Sequence, residues 1–161
     1  MAQHTFRPAL RTPRKRDGFA LQEARQLLEA ARGERLEPLF AFLLYSGLRP
    51  AEAFGLRWVD ADMIAGTLSV RWGIGEINGT MVVGSPKNRR GRRTFALLPS
   101  ALMALQRQQV QQQGERQRVG RVEKGLVFAA TNGQPVHQSN VNRAFQRVRE
   151  RAGVRNRPCT A

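Results

Sequence analysis

An arginine and a glutamate stand three residues apart in the stretch YSGLRPAEAFGL, directly after an apolar segment. Arg49 precedes Pro50, a residue type that suits the first position of a helix. Glu52 then lies in the first helical turn, where the helix dipole and unpaired amide groups favour a carboxylate. We expect Glu52 to hold the Arg49 guanidinium, whose planar fork matches two oxygens of a phosphate. The same spacing also fits an ordinary ion pair that only fixes the loop between two helices.

The charge of the whole chain favours a polyanionic partner. Lys and Arg number 27 against 12 Asp and Glu in 161 residues, which gives a net charge of +15. Nucleic acid is the first candidate, and an anionic membrane surface is the second. No segment approaches about 18 consecutive apolar residues, and the polar start of the sequence has no signal-peptide core. We therefore expect no membrane partner and a cytoplasmic location.

The few cysteine and histidine residues exclude two kinds of site. Cys159 is the single cysteine, and the two histidines, His4 and His137, are far apart in the sequence. Neither an internal disulfide nor a cysteine-based zinc site can be built from these residues. We predict no metal and no cofactor.

Apolar periodicity predicts four helices before the last segment of the chain. A helical pattern begins at Asp17, and a nearly all-apolar helix follows from Pro38 to Gly47. Pro50 opens a third helix and Pro99 a fourth. The glutamine-rich end of the fourth helix loses its apolar face, so we expect that end to be exposed and mobile.

Three short segments between residues 67 and 98 have the composition of strands. They are TLSVRW, TMVVG and RRTFALL, and polar turn sequences separate them. We predict that they pair in this order as an antiparallel meander. The fold class is therefore α+β, mainly α-helical with a small three-stranded antiparallel sheet, in one domain or part of one.

A last helix is predicted to start at a Ser139 cap and to end at Gly153. Its apolar residues share one face: Val141, Ala144, Phe145, Val148 and Ala152. If the chain lacks later elements to pack there, this face is left uncovered and the protein is marginally stable or self-associates.

Three stretches of the chain resemble, in order and approximate spacing, the tyrosine recombinases, or phage integrases. GLRPAEAFGLRWVDAD is similar to the family's first signature box, typically T-G-L-R-x-x-E-x-x-x-L-x-W-x-D-x-D. SPKNRRGRRTFALLPSAL resembles the family's lysine-bearing hairpin segment, and LVFAATNGQPVHQSNVNRAFQRVRERAGV resembles the stretch before the second signature box. The resemblance implies that residues 17–161 are the amino-terminal part of a recombinase catalytic domain. Residues 1–16 then form a basic flexible arm or linker end, or a solvated tail without a specific role.

The resemblance also implies roles for individual residues. Arg49 matches the first catalytic arginine, which binds the non-bridging oxygens of the scissile phosphate, and Glu52 matches the acid that supports it. Lys87 matches the hairpin lysine, which enters the minor groove and is proposed to protonate the departing 5′ oxygen. A flexible ammonium suits that proton transfer, and a fixed guanidinium offsets charge on phosphorus. The implied DNA-binding residues are Arg49, Lys87, Arg89, Arg90 and Arg92.

The sequence departs from the family pattern at its end. It reaches Ala161 about where the H-x-L-R box is expected, and it contains neither that box nor the late nucleophilic tyrosine. Tyr45, the only tyrosine, lies in the apolar helix, where we expect a core role. His137 matches no catalytic histidine and is expected on a surface loop.

Two hypotheses follow. The first is a DNA-binding fragment of a site-specific tyrosine recombinase. The parent enzyme cleaves and rejoins DNA strands through a 3′-phosphotyrosine, and the fragment is expected to be inactive alone. Its expected partners are double-stranded DNA and other recombinase protomers, in the cytoplasm at the nucleoid. The second is a stand-alone basic nucleic-acid-binding module without catalysis. A role on RNA or ribosomes also stays open on charge alone.

Overall fold

The computed structural model describes residues 19–77, 79–84, 92–119 and 125–154, which contain both helices and short strands. The helices in these ranges are α1 Leu21–Ala30, α2 Glu37–Ser46, α3 Pro50–Phe54, α4 Pro99–Val119 and α5 Gln138–Ala152, with a 3₁₀ turn at Trp58–Asp60. The strands are β1 Ala61–Asp62, β2 Thr67–Val70, β3 Gly73–Ile77, β4 Thr80–Gly84 and β5 Arg93–Ala96. The predicted α+β class, mainly helical with a three-stranded antiparallel sheet, is confirmed.

Helix α2 supplies much of the hydrophobic core. Its residues Leu39, Phe40, Ala41 and Phe42 are buried, and it packs against α4. Gly47 ends the helix in the left-handed conformation, with φ +64°, which a residue without a Cβ adopts at little cost. Helix α2 therefore ends directly before the stretch that contains Arg49.

The strand pairing differs from the predicted meander. The three-stranded sheet has the order β1-β2-β5, while β4 pairs with β3 in a separate antiparallel hairpin. Strand β3 was not predicted, because the two glycines in its sequence GIGEI lower the β propensity of the segment. The neighbouring Asn-Gly pair favours a two-residue hairpin turn, and Gly79 has the positive φ of +78° that such a turn needs.

Helix α4 is longer and better packed than predicted. It continues to Val119, and its residues Gln108 and Gln112 are buried rather than exposed. Gln108 Nε2 donates to the carbonyl of Val127 at 3.0 Å. Gln112 accepts from Trp58 Nε1 at 2.8 Å and donates to the carbonyl of Leu126 at 3.0 Å. The glutamine-rich part of the helix is therefore packed, because hydrogen-bonded glutamines replace the apolar face, whereas residues 116–118 near its end are exposed as predicted.

Helix α5 has a covered apolar face. Val141, Ala144, Phe145 and Val148 are buried, and the helix packs against α1. The Phe145 ring lies 6.2 Å from that of Phe19 and 5.6 Å from that of Phe40. The expected uncovered face is therefore wrong, since earlier parts of the chain cover it. His137, rather than Ser139, occupies the N-cap, and Gly153 ends the helix with φ +66°.

Two searches of the described ranges gave negative results. None of the helices there is long and apolar enough to cross a membrane. Within the same ranges, no three His, Cys, Asp or Glu side chains lie close enough together to hold a metal ion.

Candidate functional site

Arg49 and Glu52 lie at the start of helix α3, as the proline between them predicts. Arg49 is the extended N-cap residue, with φ −68° and ψ 144°, and Pro50 is the first helical residue. The backbone N–H of Arg49 donates to Glu52 Oε2 at 3.0 Å. The neighbouring Leu48 is buried, whereas the Arg49 side chain is exposed. The backbone at Arg49 is thus fixed while its guanidinium faces solvent.

The side chain that Glu52 holds is Arg93, the first residue of β5. Arg93 Nη1 donates to Glu52 Oε1 at 2.9 Å, and Arg93 Nη2 donates to Glu52 Oε2 at 3.1 Å. This bidentate pair joins residues 41 positions apart in the sequence. The expectation that Glu52 holds the Arg49 guanidinium is therefore corrected, because Glu52 reaches Arg49 only through its backbone. Within the described ranges, no hydrogen bond or ion pair involves the Arg49 guanidinium.

The electrostatics of the pair favour its charged form. Burial of the Glu52 carboxylate acts to raise its pKa. Hydrogen bonds from Arg93 and from the Arg49 backbone act to lower it, and so do the charges of both arginines. Together these interactions outweigh burial, so the pKa of Glu52 is lowered. The hydrogen bonds to Glu52 raise the pKa of Arg93. Glu52 is therefore a carboxylate, and Arg93 a cation, at neutral pH.

The register of the sheet determines where Arg93 points. Val70 pairs with Arg93, and Leu68 pairs with Phe95, so these four side chains lie on one face of the β2–β5 ladder. Leu68 and Val70 are buried, so this face is directed toward the protein. The Arg93 guanidinium lies 5.9 Å from the centre of the Phe95 ring. The first residue of β5 is thereby directed toward α3.

A close backbone contact brings the other end of α3 against β3. A Cβ on Gly55 would lie 2.8 Å from the carbonyl oxygen of Trp72 and 2.9 Å from the Cα of Gly73. Only glycine fits this approach without a shift of the backbone. Helix α3 is therefore fixed at its start by Glu52 and at its end by this contact.

One end of the β2–β5 ladder, next to Trp72, forms a basic groove with an aromatic edge. The guanidinium carbons of Arg57 and Arg92 lie 6.0 and 5.7 Å from the centre of the Trp72 ring. Arg71 forms an ion pair with the buried Asp60 at 3.2 Å. The groove encloses about 400 Å³ and is lined by Ser69, Val70, Arg71, Trp72, Arg92, Arg93 and Thr94. It suits an anionic, partly planar ligand such as a nucleic-acid strand.

The model of the phage integrase family matches residues 19–160. The chain belongs to the phage integrase family. A tyrosine recombinase XerC-like protein of Caldanaerobacter subterraneus subsp. tengcongensis is 29% identical over 150 residues, covering 84% of this chain and 38% of the relative. An integrase of Streptomyces ambofaciens is 33% identical over 143 residues, covering 84% of this chain and 36% of the relative. The resemblance to the family is thus confirmed.

The fold of this chain is also that of solved structures. A Tn1549 transposon integrase, determined in complex with transposon right end DNA, matches 83% of this chain and 44% of its own chain, with a TM-score of 0.69 and 20% identity. The XerA recombinase matches 97% of this chain and 48% of its own, with a TM-score of 0.66 and 19% identity. The present chain spans less than half the length of the relatives described here.

Some of the implied site residues lie in the described ranges, and others lie outside them. Arg49, Glu52 and Arg92 are described. Lys87, Arg89 and Arg90 lie between β4 and β5, outside the described residues. Arg92 lines the Trp72 groove. The roles of all these implied site residues stay predictions.

Two other residues were assigned from the sequence. Tyr45 is 36% exposed at the carboxyl end of α2, so the expected core role is wrong. His137 is exposed, as expected, and its Nδ1 lies 3.8 Å from Glu76 Oε2. It lies at the start of α5 rather than in a loop of its own.

Sequence reasoning missed Arg93, Arg57 and Trp72. A usable signal was present for Arg93, because strand periodicity places Arg92 and Arg93 on opposite faces of β5. One of the two then shares a face with Phe95, where a nearby carboxylate would stabilise its charge. No comparable signal identifies Trp72, whose role depends on the distance between segments far apart in the sequence.

Proposed function

We propose that these 161 residues form a DNA-binding part of a site-specific tyrosine recombinase. Residues 17–161 are the amino-terminal part of the catalytic domain, and residues 1–16 are a basic arm or linker end. Arg49 binds non-bridging oxygens of a DNA phosphate, with Glu52 in support. Lys87 protonates the departing 5′ oxygen in the reaction of the complete enzyme.

The observation that carries this proposal is the placement of Arg49. Its guanidinium is exposed, while its backbone is held by Glu52, which also binds the first residue of β5. The residues before β5 include Lys87, so the same carboxylate connects the arginine to the strand that follows the lysine. An arginine whose only role was to fix a loop would form an ion pair between its guanidinium and a protein carboxylate. This arrangement supports a phosphate ligand for Arg49.

The Trp72 groove extends the proposed DNA contact. Arg92 lies in this groove, and Arg89 and Arg90 precede it in the sequence. We assign these arginines to the DNA backbone, where each positive charge displaces condensed counterions. The partners are double-stranded DNA and other recombinase protomers, at the nucleoid in the cytoplasm.

We also propose that these residues do not cleave DNA by themselves. The 161 residues contain no H-x-L-R sequence, and Tyr45 is their only tyrosine. Tyr45 belongs to α2, four residues before the arginine that would have to hold the target phosphate. Loss of one charge-stabilising donor alone lowers a rate by about 10² to 10³. A missing nucleophile removes the covalent step altogether.

Binding is tested with a fluorescent DNA duplex titrated at several salt concentrations. Each neutralised phosphate contributes about −0.9 to the slope of log affinity against log salt. We expect Arg49→Ala to reduce that slope by about one contact and to weaken binding about tenfold or more. Arg25→Ala is the matched control, because Arg25 is exposed on α1 and outside the site. Equal effects of the two substitutions, or tighter binding to an RNA of the same length, would contradict the proposal.

Chemistry is tested with a nicked suicide duplex. The expected result is no protein–DNA adduct that survives denaturation. If an adduct forms and Tyr45→Phe abolishes it, the assignment of these residues as a non-cleaving part is refuted.

A further inference from the structure

We propose that Arg93 is a positioning residue that keeps Arg49 available for phosphate by occupying Glu52. This inference rests on the proposed DNA binding by Arg49. It concerns a residue of β5 that binds Glu52 and also lines the Trp72 groove, and it holds that Glu52 can pair with either Arg93 or Arg49.

The first step is the geometry around Glu52. Its two oxygens accept two bonds from the Arg93 guanidinium, at 2.9 and 3.1 Å, and one from the Arg49 backbone at 3.0 Å. A carboxylate has about four acceptor positions, so these three bonds use most of its capacity. The Glu52 side chain is only 13% exposed, which leaves little room for water to replace a lost partner. Removal of Arg93 would therefore leave a partly buried carboxylate without its cation.

The second step is to identify the cation that would pair with Glu52 if Arg93 were removed. The charges of Arg93 and Arg49 both act on Glu52. Arg49 is three residues from Glu52, and its backbone is already bonded to that carboxylate. Its long, exposed side chain is able to turn back and pair with Glu52. A guanidinium engaged in that pair is not available to a phosphate, because both ligands compete for the same planar fork.

The third step separates this role from direct DNA contact. The Arg93 guanidinium presents its fork to Glu52, and the charges of the pair cancel. Arg92, the adjacent residue, lies on the other face against Trp72. Arg93 also lines the Trp72 groove, so the combined variants described below are needed to separate a direct contact from an effect through Glu52 and Arg49.

The test is a set of single and combined variants in the duplex-binding assay. We expect Arg93→Ala to weaken binding about tenfold when Arg49 is present and less than twofold in the Arg49→Ala background. We also expect Glu52→Gln to restore most of the lost affinity to Arg93→Ala, because a neutral amide does not hold Arg49. That rescue should disappear when Arg49 is replaced as well.

The control is a second bidentate ion pair of similar burial. Arg35 donates to Glu115 at 2.7 and 2.9 Å, and these residues lie 80 positions apart. Arg35→Ala should lower stability but leave DNA affinity within about twofold of the wild type, since no part of the proposed site depends on it. If Arg93→Ala does not fold, Arg93→Lys serves instead, because it keeps the charge but loses the bidentate fork.

The outcomes distinguish the two proposals. If Arg49→Ala weakens binding but the effects of Arg93 and Arg49 substitutions multiply, the positioning role is wrong and the proposed function stands. Failure of Glu52→Gln to rescue Arg93→Ala leads to the same conclusion. If the wild-type chain binds no DNA, or Arg49→Ala has no effect, both proposals fail.

Discussion

Gly55 offers a sensitive test of how the site is assembled. A Cβ at this position would lie 2.8 Å from the Trp72 carbonyl oxygen and 2.9 Å from the Gly73 Cα. Both are backbone atoms, so no side-chain rotation removes the clash. The φ of Gly55 is −86°, a value that alanine adopts freely. Gly55→Ala therefore changes the space between α3 and β3 without backbone strain at the residue itself.

The magnitude follows from two opposing effects. Overpacking at a well-packed contact costs about 1–3 kcal/mol. Replacing glycine by alanine also reduces the freedom of the unfolded chain, which stabilises the protein by about 0.4–1 kcal/mol. We expect a net loss of about 0–2.6 kcal/mol in the free energy of unfolding. For a chain of this size, each kcal/mol lowers the Tm by about 2–4 °C.

A second glycine isolates the packing effect. Gly114 lies within α4, and a Cβ there would meet nothing within 4 Å. Gly114→Ala should raise stability by about 0.5–1 kcal/mol through helix propensity and chain entropy. The two variants share the glycine-to-alanine change, so their difference of about 1–3 kcal/mol reports the clash.

Urea unfolding followed by circular dichroism measures both variants, and the duplex assay measures their DNA affinity. Because α3 carries Arg49, Gly55→Ala should also weaken binding, whereas Gly114→Ala should not. Equal stability of the two variants would refute the docking of α3 on β3. A destabilised Gly55→Ala with normal DNA affinity would instead separate that docking from the site.

Three further predictions concern the core and the ion pair. Gln112→Ala should cost about 1–3 kcal/mol in urea unfolding, because the Trp58 indole N–H loses its acceptor; Trp58→Phe in the same background should recover part of that loss. The pKa of Glu52 is lowered in the folded protein, so its pair with Arg93 stabilises the protein fully at pH values above the ordinary glutamate pKa of about 4.3. This stabilisation is lost as the pH falls through the lower pKa that Glu52 has in the folded state. The free energy of unfolding of Glu52→Gln should therefore change less between pH 5 and pH 3 than that of the wild type, and equal changes would contradict the pair. Phe145→Ala should cost about 3–5 kcal/mol, since its ring packs on two others, and a loss below about 1 kcal/mol would show that α5 is not docked.

Local sequence signals predicted the helices well where a proline or glycine marks their ends. Pro38, Gly47, Pro50, Pro99 and Gly153 each lie within one residue of an observed helix boundary. These residues restrict the backbone directly, so their effect does not depend on distant parts of the chain. The start of α3 next to Arg49 was predictable for this reason.

The failures concern features that depend on tertiary contacts. The buried glutamines of α4 look polar in the sequence, and only the carbonyl groups of the segment near Val127 explain their burial. Strand β3 was not predicted because its glycines lower β propensity, although the same glycines leave space for α3 to pack against the strand. The partner of Glu52 was misassigned because the nearer arginine in sequence, Arg49, is not the one whose guanidinium it binds.

The register of β2 and β5 decides which arginine has which role. Leu68 opposite Phe95 fixes that register by burial, and Arg93 consequently lies opposite Val70 on the inward face. A slip of one residue would exchange the faces of Arg92 and Arg93 and would move Phe95 to the solvent side. The exposed apolar ring would oppose such a slip, so the core contact that anchors β5 also determines that Arg93 faces Glu52 and Arg92 faces Trp72. Substitutions at Phe95 should therefore disturb the Glu52 pair, although Phe95 itself carries no charge.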